Sequence, residues 1–528
     1  MRTFTRLLRA AATLVLAVPI ALAAGTAAHA IGPSLLPLTV TNTTGRGDAV
    51  YLYVLGVNLS TGRLGYVNAA GTFNNWPAGG LPPTPAPDVS IAGPGNGGTK
   101  TIQIPRGLSG RVYFSLGQRL NFFLTPDGLV QPAPWAGGDS NRDILFDWSE
   151  FTYNDAGLWI NSSQVDMFAV PHAVTVTGAT GATKRTGDLV SGGRDAVING
   201  IRAQSGWSGA VYTRGDGTVL RVLAPGKAAE AGGLSSTYLD SYINTAWGAY
   251  ASKTLTVVPF GDQPNTKYFG RVSGTTMNFT NSAGQQVASF QRPTSADVWG
   301  CAGRLAAPND LVVGPISRTL CAALNRGTLG TIDTQPSTNA ADFYKNNPTN
   351  QYAKIIHANM VDGKAYAFPF DDVGAFESLV HDGDPRAAGI VLTPFGGGGP
   401  QPTGNRIISN MNSKCVDVPS SNFVDGVQLQ MWNCNGTGAQ NWTATGGTFQ
   451  IAGKCMDVSG GSTANDAKIQ LWTCNGTGAQ QFTLNGAGDI VNAQSGKCLD
   501  IQSFNTADGA KLIQWTCTGS SNQKWHRG

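Results

Sequence analysis

The chain has 528 residues, yet only 13% are charged, the formal net charge is +4 and glycine occurs 69 times. So slight a charge, without a basic run, excludes a chain that tracks a phosphate backbone, and the length exceeds what one ordinary core supports. Solubility has to come from Ser, Thr, Asn and Gln, which suits a loop-rich, mainly β, multidomain protein with uncharged partners.

Residues 1–30 read as a secretory leader. Arg2, Arg6 and Arg9 form its basic start, "AATLVLAVPIALAAG" its apolar centre and Ala28-His29-Ala30 a small-residue cleavage site, so the mature chain is expected to begin at Ile31 and to be extracellular. No later apolar run approaches the roughly 20 residues that cross a membrane. Export permits disulfides.

The front part, 31–395, opens with short alternating runs such as "GRVYFSLGQ" and "HAVTVTG", bounded by Gly and Pro, which predict antiparallel sheet. In this stretch lies "FDWSEFTYNDAGLWINSSQVDMF", residues 146–168, holding Glu150, one of only three glutamates in the chain. Read as a strand, "FDWSEFT" puts Glu150 on one face with Phe146, Trp148 and Thr152. That surround is apolar and favours a protonated carboxyl. Asp166 lies sixteen residues further on. A tight hairpin turning at Asn154 to Gly157 would leave the two carboxyls about 17 Å apart along a sheet, whereas a longer loop centred on Leu158 would set them opposite one another and hang Trp159 over them. The second geometry is the expectation. The remaining glutamates, Glu230 and Glu377, stand in helix-like contexts and read as solvated or capping groups.

Helices are predicted in the second half of this part, where Leu239, Tyr242, Ile243, Ala246, Trp247 and Tyr250 recur at helical spacing, and again around Pro348 in "ADFYKNNPTNQYAKIIHANM". A β lobe and an α/β lobe should flank a cleft. No GxSxG motif and no glycine-rich nucleotide motif is present. His172, His357, His381 and His526 are scattered and no CxxC occurs, so neither metal nor other cofactor is expected.

"EFTYN", "GLWINSSQVDMFAVP" and "GKAYAFPFDDV" (363–373) together resemble the thaumatin-like pattern, and more closely glycoside hydrolase family 64, across the whole front part. The resemblance implies an endo-β-1,3-glucanase that releases laminaripentaose with inversion, with Glu150 as general acid, Asp166 as general base, and Thr152, Asn154 and Trp159 lining the subsites. Its implied substrates are laminarin, curdlan and fungal wall glucan. The second reading is a non-catalytic glucan-binding protein of the same fold. The two cysteines of this part are far fewer than plant thaumatin-like proteins carry.

"GGGGPQPTG", 396–404, has the composition of a flexible joint. Beyond it, 405–528 repeats itself three times, from "KCVDVPSSNFVDGVQLQMWNCNGTGAQNW" to "KCLDIQSFNTADGAKLIQWTCTGSSNQKW". Each unit is a few short strands that cannot bury a core alone, so three must share one. The cysteines divide into Cys301–Cys321, Cys415–Cys434, Cys455–Cys474 and Cys498–Cys517, each local loop stabilising by roughly 3 kcal/mol if closed.

The CxD start and QxW close of each unit resemble the ricin-type β-trefoil lectin repeat, carbohydrate-binding module family 13. The resemblance implies sugar pockets at Asp417, Gln430, Trp432 and Gln440, at Asp457, Gln470, Trp472 and Gln480, and at Asp500, Trp515, Asn522 and Gln523. The third unit has Ile513 where the others have Gln430 and Gln470, and Asn522 where they have Ala439 and Ala479. A monomer is expected.

Overall fold

The computed structural model describes residues 32–190, 192–395, 406–435, 437–445, 447–485 and 487–527. The leader assigned to 1–30 and the joint at 396–404 lie outside the described residues. The chain divides into two compact units, Met1–Leu189 with Arg194–Phe395, and Gly396–Gly528 with Val190–Gly193.

The first unit is closed by its own ends. Strand Leu35–Asn42 pairs in parallel with Pro385–Leu392, Val40 opposite Ile390, within a five-stranded sheet. A second, eight-stranded sheet runs in the order Leu379–Asp382, Gly157–Ser162, Leu145–Asn154, Leu108–Leu116, Val50–Asn58, Leu64–Val67, Phe73–Asn75, with Ile91–Ala92 beside Val50–Asn58. Leu36, Leu38 and Val40 of one sheet and Leu52, Val112 and Ile160 of the other are almost wholly buried in one core. The second lobe has a core of its own, in which helices Asp240–Gly248 and Val313–Arg326 cover a five-stranded sheet that includes Tyr268–Ser273 and Thr276–Asn281. All six apolar residues predicted to share a helical face between Leu239 and Tyr250 are buried there. Around Pro348 the helix is shorter than expected and begins only at Gln351, where the Asn350 side chain accepts from the Ala353 N–H. The Cys301–Cys321 disulfide joins the end of helix Ser295–Gly300 to helix Val313–Arg326.

Between these cores, Asp371 is fully buried. It accepts from Arg326 Nη2 at 2.9 Å through one oxygen and meets His357 Nε2 at 2.9 Å through the other. This anchors the segment "GKAYAFPFDDV". From it, Tyr366 exchanges two hydrogen bonds with Gln164, its N–H donating to Gln164 Oε1 (3.0 Å) and its carbonyl accepting from the Gln164 N–H (2.8 Å).

In the second unit three similar parts share one core that includes Trp442, Phe482 and Trp525, the residues that close the repeats. Its ends also pair, Ile407 opposite Arg527. The three cysteine pairs predicted here are disulfides.

Candidate active site and sugar pockets

The hairpin that carries Glu150 is the tight one, contrary to expectation. Asn154 stands opposite Gly157, Thr152 opposite Trp159 and Glu150 opposite Asn161. Two local features fix it. The Asn154 Oδ1 accepts from the Ala156 N–H (2.8 Å), a self-contained turn. Gly157 sits at φ 117°, and a Cβ there would lie 2.2 Å from the Asp382 carbonyl. "NDAGLWINSS" is therefore turn and strand, and Trp159 belongs to the sheet.

Cross-strand partners share a face, so the register lays out rows across the sheet. One row reads Leu55, Arg111, Glu150, Asn161, Leu379, and the next Val57, Ser109, Thr152, Trp159, His381. Thr152 Oγ1 lies 2.7 Å from Ser109 Oγ, and the Trp159 ring stacks on His381 at 4.1 Å and 14°. Asn154 ends the strand with its side-chain Oδ1 engaged in the turn.

Asp166 nonetheless reaches Glu150. The 17 Å objection to a tight hairpin supposes that the chain stays in the sheet up to Asp166. It leaves after Ser162, where Ser163 bridges to Tyr366 and the Asp166 carbonyl accepts from the Ala224 N–H. The Asp166 carboxylate then comes back over Arg111. Arg111 Nη2 is 2.9 Å from Glu150 Oε1 and 3.8 Å from Asp166 Oδ2, and Arg111 Nε donates to the same Glu150 oxygen at 3.0 Å. Because one nitrogen serves both, those two oxygens are under about 7 Å apart by the triangle inequality.

The expected apolar surround of Glu150 is only half present. Phe146 and Trp148 are on its face and buried, but the carboxylate rests on a guanidinium. Sequence reasoning missed Arg111, although it lies in the predicted strand "GRVYFSLGQ", because register cannot be read from one strand alone. Arg111 is held by the Trp148 ring, 4.7 Å from its guanidinium carbon, and donates through Nη1 to the Tyr113 hydroxyl (3.3 Å), which donates to Gln131 Oε1 (2.6 Å). Burial opposes the charge on Arg111, but Tyr113, Glu150 and Asp166 outweigh it and hold its pKa above the ordinary value. Lys227, on helix Pro225–Glu230, places Nζ 3.7 Å from Asp166 Oδ1 and over the Trp135 ring at 4.3 Å. Asp166 thus stands between two cations and Glu150 beside one. On the far side of Arg111 a pocket is bordered by Tyr113, Gln131, Trp76 and the backbone of Gly56, Gly65 and Gly110.

Glu230 lies at the end of its helix, 60% exposed, 3.9 Å from Lys227. Glu377 departs from its helical reading. It precedes strand Leu379–Asp382, one carboxylate oxygen is buried without a partner among the described residues, and burial, with Asp372 nearby, pushes its pKa up to about 7. Among the described residues no group of His, Cys, Asp and Glu is arranged to hold a metal ion.

The β-1,3-glucanase model of glycoside hydrolase family 64 matches residues 34–392. The chain belongs to this family. A glucan endo-1,3-β-glucosidase of Arthrobacter sp. (strain YCWD3) is 46% identical over 459 residues, covering 83% of each chain. A laminaripentaose-producing β-1,3-glucanase, solved in complex with laminaritetraose, is 54% identical with a TM-score of 0.67 over 69% of this chain and 99% of its own. The family 64 domain of a Clostridium beijerinckii β-1,3-glucanase is 27% identical with a TM-score of 0.57, covering 68% of this chain and 98% of that one. The ricin-type β-trefoil lectin domain matches residues 404–525.

In this glucanase-family chain the lectin domain repeats one cluster three times, each with a tryptophan 40% exposed, Trp432, Trp472 or Trp515, and a buried carboxylate on the paired strand. Asp417 Oδ1 accepts from Gln430 Nε2 (2.9 Å) and Oδ2 from Gln440 Nε2 (3.1 Å); Asp457 is held alike by Gln470 (3.0 Å) and Gln480 (3.1 Å). Around Asp500 the donors are Asn522 (3.0 Å) and Gln523 (2.8 Å). Burial raises the pKa of all three aspartates against the pull of these amides. A pyranose presents an apolar face to such an exposed indole and hydroxyls to the fixed polar groups.

Proposed function

We propose that the chain is a secreted endo-β-1,3-glucanase that inverts anomeric configuration, with Glu150 as general acid and Asp166 as general base, and that its lectin domain tethers it to insoluble wall polysaccharide. The observation that carries the reading is the meeting of the two carboxylates on one guanidinium. Asp166 has a cation on each side, Arg111 and Lys227, and is given the part of activating water. Glu150, on the sheet face with Trp148 and Phe146, is given the part of donating a proton to the leaving oxygen by the family resemblance. Inverting enzymes place these groups about 6.5 to 9.5 Å apart and retaining enzymes about 5 to 5.5 Å. The row Ser109, Thr152, Trp159, His381 then offers the sugar chain hydroxyl partners and a stacking face. Release of laminaripentaose is part of the proposal, supported by the 54% identity to an enzyme described by that product.

Glu150→Gln and, separately, Asp166→Asn are each expected to lower sugar release from laminarin by at least about 1,000-fold with unchanged circular dichroism. Proton NMR of the nascent products should show the α-anomer first, and chromatography the pentasaccharide. A folded Glu150→Gln variant at wild-type rate would overturn the role of Glu150, whereas no sugar release from the unaltered chain would leave the recognition-only reading.

A further inference from the structure

Asp147 is a buried carboxyl outside the proposed chemistry. It stands three residues before Glu150 on strand Leu145–Asn154 but on the opposite face, across from Phe114, and is 1% exposed. Its Oδ1 accepts from the Trp148 N–H of its own strand (3.0 Å), and its Oδ2 from the N–H groups of Ala169 (2.9 Å) and Val170 (3.1 Å). Ala169 and Val170 belong to the run 163–171, which carries Asp166 out of the eight-stranded sheet and delivers the chain to strand His172–Gly178 of the five-stranded one.

The rest of that run is fastened elsewhere. The Tyr352 hydroxyl donates to the Gln164 carbonyl (2.7 Å), Met167 and Phe168 pair with Leu223 and Val222, and Arg194 Nε donates to the Ala169 carbonyl (2.9 Å). Among the described residues only Asp147 joins the run by hydrogen bonds to the strand of Glu150. Burying a carboxyl is costly unless its oxygens are matched, and here two of the matching donors follow Asp166 by three and four residues.

Four titratable groups face Asp147. Arg221, on strand Val219–Leu223, donates to the Arg142 and Ile144 carbonyls, and Arg194 lies on helix Gly193–Arg202. Burial pushes His172 down to about 4, which keeps it neutral, and holds Tyr352 well above its ordinary value. At Asp147 itself burial outweighs the three N–H donors and Arg221 and pushes the carboxyl up to about 7.

We infer that Asp147 is a positioning residue for the acid–base pair: its ionised carboxylate ties the Asp166 segment to the Glu150 strand and so sets the gap that seats the hydrolytic water. The inference rests on the proposed roles of Glu150 and Asp166. A protonated Asp147 offers a neutral acceptor, whose hydrogen bonds are weaker, so the tie loosens as pH falls through about 7.

The test is Asp147→Asn in the full chain, which has the shape of the protonated form and a single acceptor oxygen at every pH. At about pH 8 its kcat on soluble laminarin should lie about 10- to 100-fold below that of the unaltered chain, with KM within about threefold. The ratio of the two kcat values should shrink at least about threefold from about pH 8 to about pH 6, because the catalytic carboxyls titrate in both proteins and cancel, whereas Asp147 carries a charge only in one. An unchanged kcat, or a ratio constant with pH after scaling to the folded fraction, overturns the inference. Should the variant fail to fold, hydrogen exchange of the unaltered chain decides. Relative to intrinsic rates, the amides of Ala169 and Val170 should lose at least about threefold protection over the same pH range while strand Leu108–Leu116 does not, and unchanged protection overturns the inference. Wild-type rates in Glu150→Gln or Asp166→Asn would instead remove the acid–base reading beneath it.

Discussion

At Arg111 a single guanidinium meets Glu150, Asp166, the Tyr113 hydroxyl and the face of Trp148. Lysine cannot reproduce that set, because an ammonium is a point charge without a planar fork to stack on an indole while donating sideways to one carboxylate and facing a second. The charge would survive in Arg111→Lys, so the substitution isolates geometry from electrostatics. A displacement of about 1 Å between reacting groups can cost about 100-fold in rate. Arg111→Lys is therefore expected to lower kcat on laminarin about 100-fold while KM changes less than about threefold, since Arg111 faces the acid pair and the Thr152–Trp159–His381 row lies one step away along the sheet. Steady-state kinetics on soluble laminarin read both constants. A loss confined to KM would instead make Arg111 a substrate contact.

The hairpin Leu145–Ser162 is the element that turns this chemistry into geometry, and Gly157 is its weak point. With φ at 117° and the Asp382 carbonyl 2.2 Å from any Cβ, Gly157→Ala combines backbone strain with a clash against strand Leu379–Asp382. Strain of this kind costs about 1 to 3 kcal/mol, so a fall in stability of at least about 2 kcal/mol is expected in denaturant unfolding, with weaker glucan binding as the Trp159–His381 stack shifts. Stability equal to wild type would show that the turn relaxes without the glycine. This turn also marks where sequence reading succeeds and fails. Alternation in "FDWSEFT" correctly gives the shared face of Phe146, Trp148, Glu150 and Thr152, and "NDAG" contains its own turn chemistry, both being local properties. The position of Asp166 was not legible, because it depends on Ser163 and Gln164 leaving the sheet to meet Tyr366 some two hundred residues away. Arg111 was hidden for a related reason, since its strand is legible but its partner is not. In the lectin repeats both departures, Ile513 and Asn522, are visible in the aligned units, yet only coordinates show that Asn522 donates to the Asp500 oxygen that Gln523 also holds.

At the scale of the whole molecule, the proposed function has two units, each closing its own ends, divide the work between cutting and holding. On the proposed function the acid pair acts on one chain segment at a time, and soluble laminarin delivers such segments by diffusion. An insoluble wall does not, so the rate there depends on how long the enzyme stays at the surface. If each of the three exposed tryptophans on one shared core marks a weak sugar site, as proposed, together they would keep the free ones at high effective concentration near the polymer, a gain of about 100-fold or more where geometry allows simultaneous contact. Because Trp432, Trp472 and Trp515 are surface groups outside the core, replacing all three by alanine should leave the lectin fold and its three disulfides intact. The triple variant is expected to release reducing sugar from soluble laminarin within about twofold of wild type and from insoluble fungal wall at least about tenfold more slowly, measured below saturation. The comparison separates tethering from catalysis, since a damaged cleft would slow both substrates. Equal rates on the wall for the variant and the wild type would mean that residence at the surface is set by the cleft alone.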